Sequence, residues 1–264
     1  MRLVYSACSH IGSVRHNNED NLYVPGRFVP FESTDAVFAA VGDTKTPCVF
    51  AVCDGMGGQE FGEYASYIAA CGLAELELSI KTEPPNKIDS LVQEYVTRVN
   101  NTICVKMREK SVQIGTTLAL IVITDSEIRA YNIGDSRIYA ISNGKLLQVS
   151  EDHTMSMQKV SMGILTKEEA KLDRDRNKLT RYLGMIDEET ILKAEPMPPL
   201  DLRTHRPLLL ASDGLTELVS DEKIKEVLQS TPTKDAAELL VIAALEKGGK
   251  DNVSCIVINT DSES

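Results

Sequence analysis

Two almost wholly apolar runs stop abruptly at Asp-Gly: Val49-Phe50-Ala51-Val52-Cys53 before Asp54-Gly55, and Leu208-Leu209-Leu210-Ala211-Ser212 before Asp213-Gly214. Runs of this length, bounded by turn residues, predict strands buried on both faces. Each strand therefore fixes a carboxylate at the rim of a buried sheet. Aspartates held in this way repel one another, and if they converge they need a cation. Oxygen donors with no nearby His or Cys favour Mg2+ or Mn2+ over Zn2+. The glycines after Asp54 would let the Gly55 carbonyl approach a metal and let the next helix begin close to the site. A glycine turn feeding a helix accounts for the same residues.

Other acidic motifs fall at strand ends: Asn18-Glu19-Asp20, Gly134-Asp135-Ser136-Arg137 and Asp251-Asn252. Singly, each is an ordinary turn signal, because Asp bonds its own backbone and Gly accepts positive φ. Arg15, four residues before Glu19, offers a planar fork suited to a pair of phosphate oxygens; its alternative is a solvated surface arginine.

The formal net charge of −11 and the absence of a Lys/Arg stripe argue against nucleic acid or an anionic membrane as partner. With 42% hydrophobic and 25% charged residues the chain can bury a substantial core. Polar Ser9 and His10 follow too early for a signal-peptide core, and no run approaches the roughly 18 apolar residues of a membrane span. A cytoplasmic location is expected. Cys8, Cys48, Cys53, Cys71, Cys104 and Cys255 form no CxxC pair and sit mostly in apolar stretches, so reduced core thiols are expected.

Other chemistries lack their residues. No cysteine is followed six positions later by arginine, and no GxxxxGK[ST], HExxH or GxSxG occurs. Asp173-Arg174-Asp175-Arg176-Asn177 imitates the start of a calcium loop, but Lys178 replaces the required glycine and Gly184 the terminal glutamate. His10, His16, His153 and His205 fit no ligand spacing.

Strand-like runs recur at 3–8, 49–53, 116–124, 127–133, 137–142, 207–212 and 253–258. Asp125-Ser126, Gly134-Asp135-Ser136 and Asn143-Gly144 are expected to be successive hairpin loops of an antiparallel meander. Helical periodicity marks 88–103 and, more weakly, 60–78; a second pair is expected at 221–228, capped by Ser220, and at 234–246. The segment 154–185, with a Thr166–Glu169 capping box as its one helical signal, is expected to be a mobile flap, and the tail Thr260-Asp261-Ser262-Glu263-Ser264 to fray. The whole is an α+β arrangement, read as one domain over residues 1–264.

In this order the motifs resemble the metal-dependent PPM, or PP2C-type, family of protein serine/threonine phosphatases in its bacterial form. The resemblance runs through Gly12-Ser13-Val14-Arg15-His16-Asn17-Asn18-Glu19-Asp20, Asp54-Gly55-Met56-Gly57-Gly58, Gly115-Thr116-Thr117-Leu118 and Gly134-Asp135-Ser136-Arg137. It continues through Glu151-Asp152-His153, Arg176-Asn177-Lys178-Leu179-Thr180-Arg181-Tyr182-Leu183-Gly184, Ser212-Asp213-Gly214-Leu215 and Asp251-Asn252.

The resemblance implies a β-sandwich of two antiparallel sheets flanked by helix pairs, a four-layer αββα stack with the metals in a cleft at one end. Asp54 would then bridge two Mn2+ or Mg2+ ions, Asp213 and Asp251 would complete the first, and the Gly55 carbonyl would bind the second. Glu19 and Asp20 would act mostly through water. Asp135, with Asp213, would match a weaker third site, near Asn177 of the flap. Arg15 would clamp the substrate phosphate. Implied partners are phosphorylated proteins and a cognate Ser/Thr kinase system. The implied reaction is direct hydrolysis of phosphoserine or phosphothreonine by a hydroxide held between the two ions.

Three departures stand out. Met56 replaces a histidine frequent in animal and plant relatives and cannot donate a proton; His10 stands where many relatives have Asp; Gln59 replaces a frequent His. Two alternatives remain open, a hydrolase of small phosphoesters and a catalytically silent protein that binds phosphoproteins or partners. The latter would be expected to have lost a ligand, whereas Asp54, Asp213 and Asp251 are all present.

Overall fold

The computed structural model describes residues 1–31, 37–57, 61–186, 192–194, 196–201 and 203–260. Gly58, Gln59, Glu60 and the tail 261–264 lie outside the described residues; Thr260, expected to fray with that tail, instead closes the last strand. The chain begins with β1 (Arg2–His10), β2 (Asp20–Val24), β3 (Arg27–Phe28), β4 (Val37–Lys45) and β5 (Cys48–Gly57). Helices α1 (Gly62–Thr82) and α2 (Ile88–Lys110) follow. Next come β6 (Ile114–Thr116), β7 (Leu118–Ile123), β8 (Ile128–Ile133), β9 (Arg137–Ser142) and β10 (Lys145–Gln148). Two short helices, α3 (Met155–Ser161) and α4 (Lys167–Ala170), precede β11 (His205–Ala211). The chain closes with α5 (Asp213–Thr216), α6 (Asp221–Ser230), α7 (Thr233–Glu246) and β12 (Val253–Thr260).

The strands form two antiparallel sheets, ordered β10-β9-β11-β12-β1-β4 and β3-β2-β5-β7-β8, with β6 paired to β5 off the second. Alternation along β5 explains the layering. Phe50 and Val52 face the other sheet, meeting Tyr5, Leu208, Leu210 and Ile256. Val49, Ala51 and Cys53 point the opposite way, onto Leu73 of α1 and Val92 and Val99 of α2. On the far side Leu209, Ala211 and Val257 turn outward to Ile224 of α6 and Leu240 and Val241 of α7. A strand covered on both faces has no polar side to show, which is why its sequence is a continuous apolar run. The result is the expected αββα stack. All six cysteines are free; Cys71 alone of them is exposed.

One expected turn is not a hairpin. Gly134-Asp135-Ser136 carries the chain from β8 in one sheet to β9 in the other. Gly134 has φ +103°, and the Ser136 hydroxyl is engaged 2.6 Å from Thr117 Oγ1. The edge of β9 that a meander would offer to β8 is taken by β10 and β11. Asn143-Gly144 is the hairpin expected, with both residues at positive φ. The expected run 116–124 is split at Thr117, whose hydroxyl accepts from the Asp54 peptide N–H. β2, β3 and β4 were not legible as strands: β3 spans two residues, and β4 is a sheet edge with much of its surface exposed.

The 154–185 segment holds more regular structure than its single capping box announces. That box is formed by Thr166 and Glu169 as expected. The additional helix α3 is capped by Thr154, and Lys159 from it meets Asp173 at 2.8 Å and Asp175 at 2.7 Å.

Phe50 is fully buried between the sheets, edge-on to Tyr5 with ring centroids 5.3 Å apart. Phe50→Ala is expected to destabilise the fold by about 3–5 kcal/mol, measured by urea unfolding.

Candidate active site

Antiparallel pairing brings the acidic motifs to one end of the sandwich. Asp20 opens β2 directly opposite Asp54 on β5. β11 ends at Ala211, paired with Cys255 of β12, so Asp213 just after one strand lies at the same end as Asp251 just before the other. The crossover from β8 adds Asp135.

These groups are crowded and poorly hydrated. Burial first, then the charges of Asp20, Asp213, Asp135 and Asp251, push the Asp54 carboxyl well above the usual range. Burial raises Asp20 to about 7 against the opposing hydroxyls of Ser254 and Ser212. Asp135 is raised to about 8 by burial and by Asp213 and Asp152. Asp213 rises to about 6 through burial, Asp251 and Glu217, although it accepts a hydrogen bond from Asp54. Glu19 is also raised, by burial and by Glu63.

Polar side chains on neighbouring strands hold the carboxylates in place. Ser212 Oγ donates to Asp20 Oδ2 at 2.8 Å, and Ser254 N–H donates to Ser212 Oγ at 3.0 Å. Ser254 Oγ bonds Ser9 Oγ at 2.8 Å, which also accepts from Asn18 Nδ2 at 2.9 Å. Gly134 N–H donates to His153 Nδ1 at 3.1 Å beside Asp135, and Asn132 Nδ2 bonds the carbonyls of Gly134 and Glu151. Arg137 grips Asp152 with Nε and Nη2, the latter at 2.6 Å. The motifs 134–137 and 151–153 are thus two halves of one clamp. The sequence marks both motifs; their partnership was not readable, because the residues from 138 to 150 separate them and no local pattern links the two.

Arg15 reaches the cluster: its Nη2 lies 2.6 Å from Asp251 Oδ2. Gly55 N–H donates to the Glu19 carbonyl at 3.0 Å, and a Cβ on Gly55 would collide with the carbonyls of Gly62 and Glu19. Only glycine lets β5 pass between them. Asn177 does not approach Asp135 through any hydrogen bond; its Nδ2 donates to Glu217 Oε1 at 2.8 Å. Met56 lies against the end of the flap, since a Cβ built on Gly115 would be 2.9 Å from Met56 Cε and 2.6 Å from Tyr182 Cδ2. His10 Nδ1 accepts from Gly12 N–H at 2.8 Å, an outer role.

The donor set suits a hard divalent cation. It is all oxygen, it carries several buried carboxylates against one arginine, and Glu63 Oε2 beside Glu19 is buried with no hydrogen-bond partner among the described residues. Among the described residues no three carboxylate, imidazole or thiolate groups form a ready cation cage. Neighbouring carboxylates raise the cost of ionising Asp54 and of ionising Asp213, and a bound cation would neutralise that charge.

A profile of the family described as protein phosphatase 2C matches residues 32–241. The chain belongs to the protein phosphatase 2C family. It is 34% identical over 260 residues to the serine/threonine protein phosphatase PstP of Mycobacterium tuberculosis, covering 97% of this chain and 44% of that protein. The chain thus spans less than half the length of that relative. It is 31% identical to the serine/threonine phosphatase stp of Listeria monocytogenes, covering 95% of this chain and 93% of that one. The crystal structure of the M. tuberculosis phosphatase PstP superposes with a TM-score of 0.79 at 32% identity, covering 99% of this chain and 100% of that one. The PstP catalytic domain in complex with two manganese ions gives 0.76 at 30% identity, covering 99% and 100%. Arg15, Glu19, Asp20 and Asp251 fall outside the 2C profile match.

Raised carboxyl pKa values have a sign. Asp20, Asp135 and Asp213 hold protons in the fold that they release near pH 4 when unfolded, so the folded state binds more protons between about pH 4 and pH 8. The thermal midpoint of metal-stripped protein is expected to fall as pH rises through that window. Added Mn2+ should flatten the decline, as calorimetric scans at a series of pH values will show.

Proposed function

We propose that this chain is a metal-dependent protein serine/threonine phosphatase that hydrolyses phosphoserine and phosphothreonine in proteins. The observation that carries the reading is the convergence of Asp20, Asp54, Asp135, Asp213 and Asp251 on one end of the sandwich with Arg15 at its edge. Asp54, Asp213 and Asp251, with the Gly55 carbonyl, would hold two Mn2+ or Mg2+ ions, and Glu19 and Asp20 would support them through water. Asp135 with Asp213 would serve a weaker third position. Bound there, the ions supply an acidified water as nucleophile and neutralise charge on the phosphoryl oxygens.

The chain's own groups do the rest. Arg15, held by Asp251, is placed to transfer its fork to the phosphoryl oxygens and orient phosphorus. Ser212 and Ser254 keep the Asp20 carboxyl from turning away. Met56 has no proton to give, so the departing serine or threonine oxygen takes its proton from water. Residues 1–264 act as one catalytic domain in this reading. Hydrolysis of phosphoproteins requires a kinase to supply them, which makes a Ser/Thr kinase system the functional counterpart and signalling the setting. Free thiols throughout and, among the described residues, no helix long and apolar enough to cross a membrane support a cytoplasmic location.

Metal-stripped protein is expected to be inactive on a phosphothreonine peptide and to recover with Mn2+ or Mg2+. Asp54→Asn and Asp213→Asn should each lower kcat by about 10²–10³, as does loss of a main electrostatic stabiliser elsewhere, with the fold retained by circular dichroism. Full activity in either variant refutes the assignment. Arg15→Ala should raise KM about tenfold, the loss of one charge-assisted contact, measured by steady-state kinetics on the same peptide.

A further inference from the structure

Asn252 follows Asp251 and takes no part in the chemistry above. Its side chain is buried, and its amide is engaged entirely with the loop between β1 and β2. Nδ2 donates to the carbonyls of Ile11 at 2.8 Å and Asn17 at 2.9 Å. Oδ1 accepts from Glu19 N–H at 2.8 Å. The peptide N–H of Asn252 donates to Asp251 Oδ1 at 2.8 Å, while Arg15 holds the other oxygen of that carboxylate.

Asn18 and Glu19 at the end of this loop have further ties, to Ser9 Oγ at 2.9 Å and to Gly55 N–H at 3.0 Å, whereas the stretch that carries Arg15 has few. Residues 13–17 are all exposed, Val14 included, so no apolar anchor fixes the backbone that carries Arg15. One backbone bond, Ser13 N–H to the Gly249 carbonyl at 2.7 Å, ties it further, again to the approach of β12. Ile11 and Asn17 flank Arg15 on either side, and a single primary amide bonds both. An amide is the group that can do this, since the site needs two donors and one acceptor at one point.

We propose that Asn252 is a positioning residue for substrate phosphate: its amide closes the 11–19 loop on the entrance to β12, and thereby sets where Arg15 meets the phosphoryl group. The inference rests on the phosphatase reading and adds to it a residue that acts through its neighbours, its own side chain being assigned to neither substrate nor metal.

The test is a double-mutant cycle on the full chain loaded with Mn2+, combining Arg15→Ala with Asn252→Ala and, separately, with Asn252→Asp. Asn252→Asp keeps an acceptor for Glu19 N–H and removes both donors. Three readouts are taken: KM and kcat on a phosphothreonine peptide, the thermal midpoint, and the concentration of inorganic phosphate that half-saturates its effect on that midpoint. Either Asn252 variant is expected to raise KM and the half-saturating phosphate by about tenfold, as Arg15→Ala does, and by under about twofold in the Arg15→Ala background. A residue that only supports the fold lowers the midpoint and leaves KM and phosphate dependence of the folded protein unchanged. That result, or independent effects in the double variant, overturns the proposal. Should Asn252→Ala fail to fold, Asn252→Asp, of nearly equal volume, gives the same reading. Wild type that binds phosphate without turnover refutes the phosphatase reading, and the cycle is then decided on phosphate binding alone.

Discussion

Mutual repulsion among buried carboxylates is the constraint around which this structure is arranged. Asp20, Asp54, Asp135 and Asp213 each titrate well above their ordinary range, and in every case burial is the first cause and a neighbouring carboxylate contributes. Such a cluster opposes folding unless something holds it together. Here the rest of the sandwich does the holding. The strands that end at the cluster are covered on both faces, so the carboxylates cannot relax without disturbing a close-packed core. A scaffold that stores unfavourable charge at one end is poised to bind cations there, and the proposed chemistry uses that charge.

A second layer of polar groups turns a crowded rim into an oriented one. The Ser9, Ser212 and Ser254 hydroxyls form a buried relay behind Asp20. His153, Asn132 and the Arg137–Asp152 pair stabilise the crossover that presents Asp135. Thr116 and Thr117 bracket the Asp54 backbone through their hydroxyls. Asn252 does the equivalent work for the loop bearing Arg15. These groups keep donors and acceptors near the carboxylates satisfied in a low-dielectric setting.

The outer layer was legible to different degrees. Apolar runs ending in Asp-Gly located β5 and β11, and helical spacing located α2, α6 and α7, because these signals come from local period and composition. The strands β2, β3 and β4 were missed: β3 spans two residues, β4 lies at an edge with much of its surface exposed, and β2, though buried, opens with Asp20-Asn21 and leaves only Leu22-Tyr23-Val24 as an apolar run. Gly134-Asp135-Ser136 read as a hairpin because Gly, Asp and Ser are turn formers. Whether such a turn joins neighbours in one sheet or crosses to the other depends on strands far away in sequence. The helix at 155–161 escaped notice for a similar reason, since Lys159 is tied to Asp173 and Asp175 beyond its own end.

The sequence alone determined which residues are the candidates for the proposed chemistry. Asp54 and Asp213 follow apolar strands, and Arg15, Glu19, Asp20, Asp135 and Asp251 sit in motifs whose order marks the family. Those are properties of residue type and spacing, and they need no coordinates. Tertiary structure decided the couplings. Asp20 faces Asp54, Asn252 binds a loop more than 200 positions away, and Arg15, though exposed, meets Asp251. Hydrogen bonds and charge repulsion act over a few ångströms, and only the pairing of strands distant in the chain brings these groups within that range.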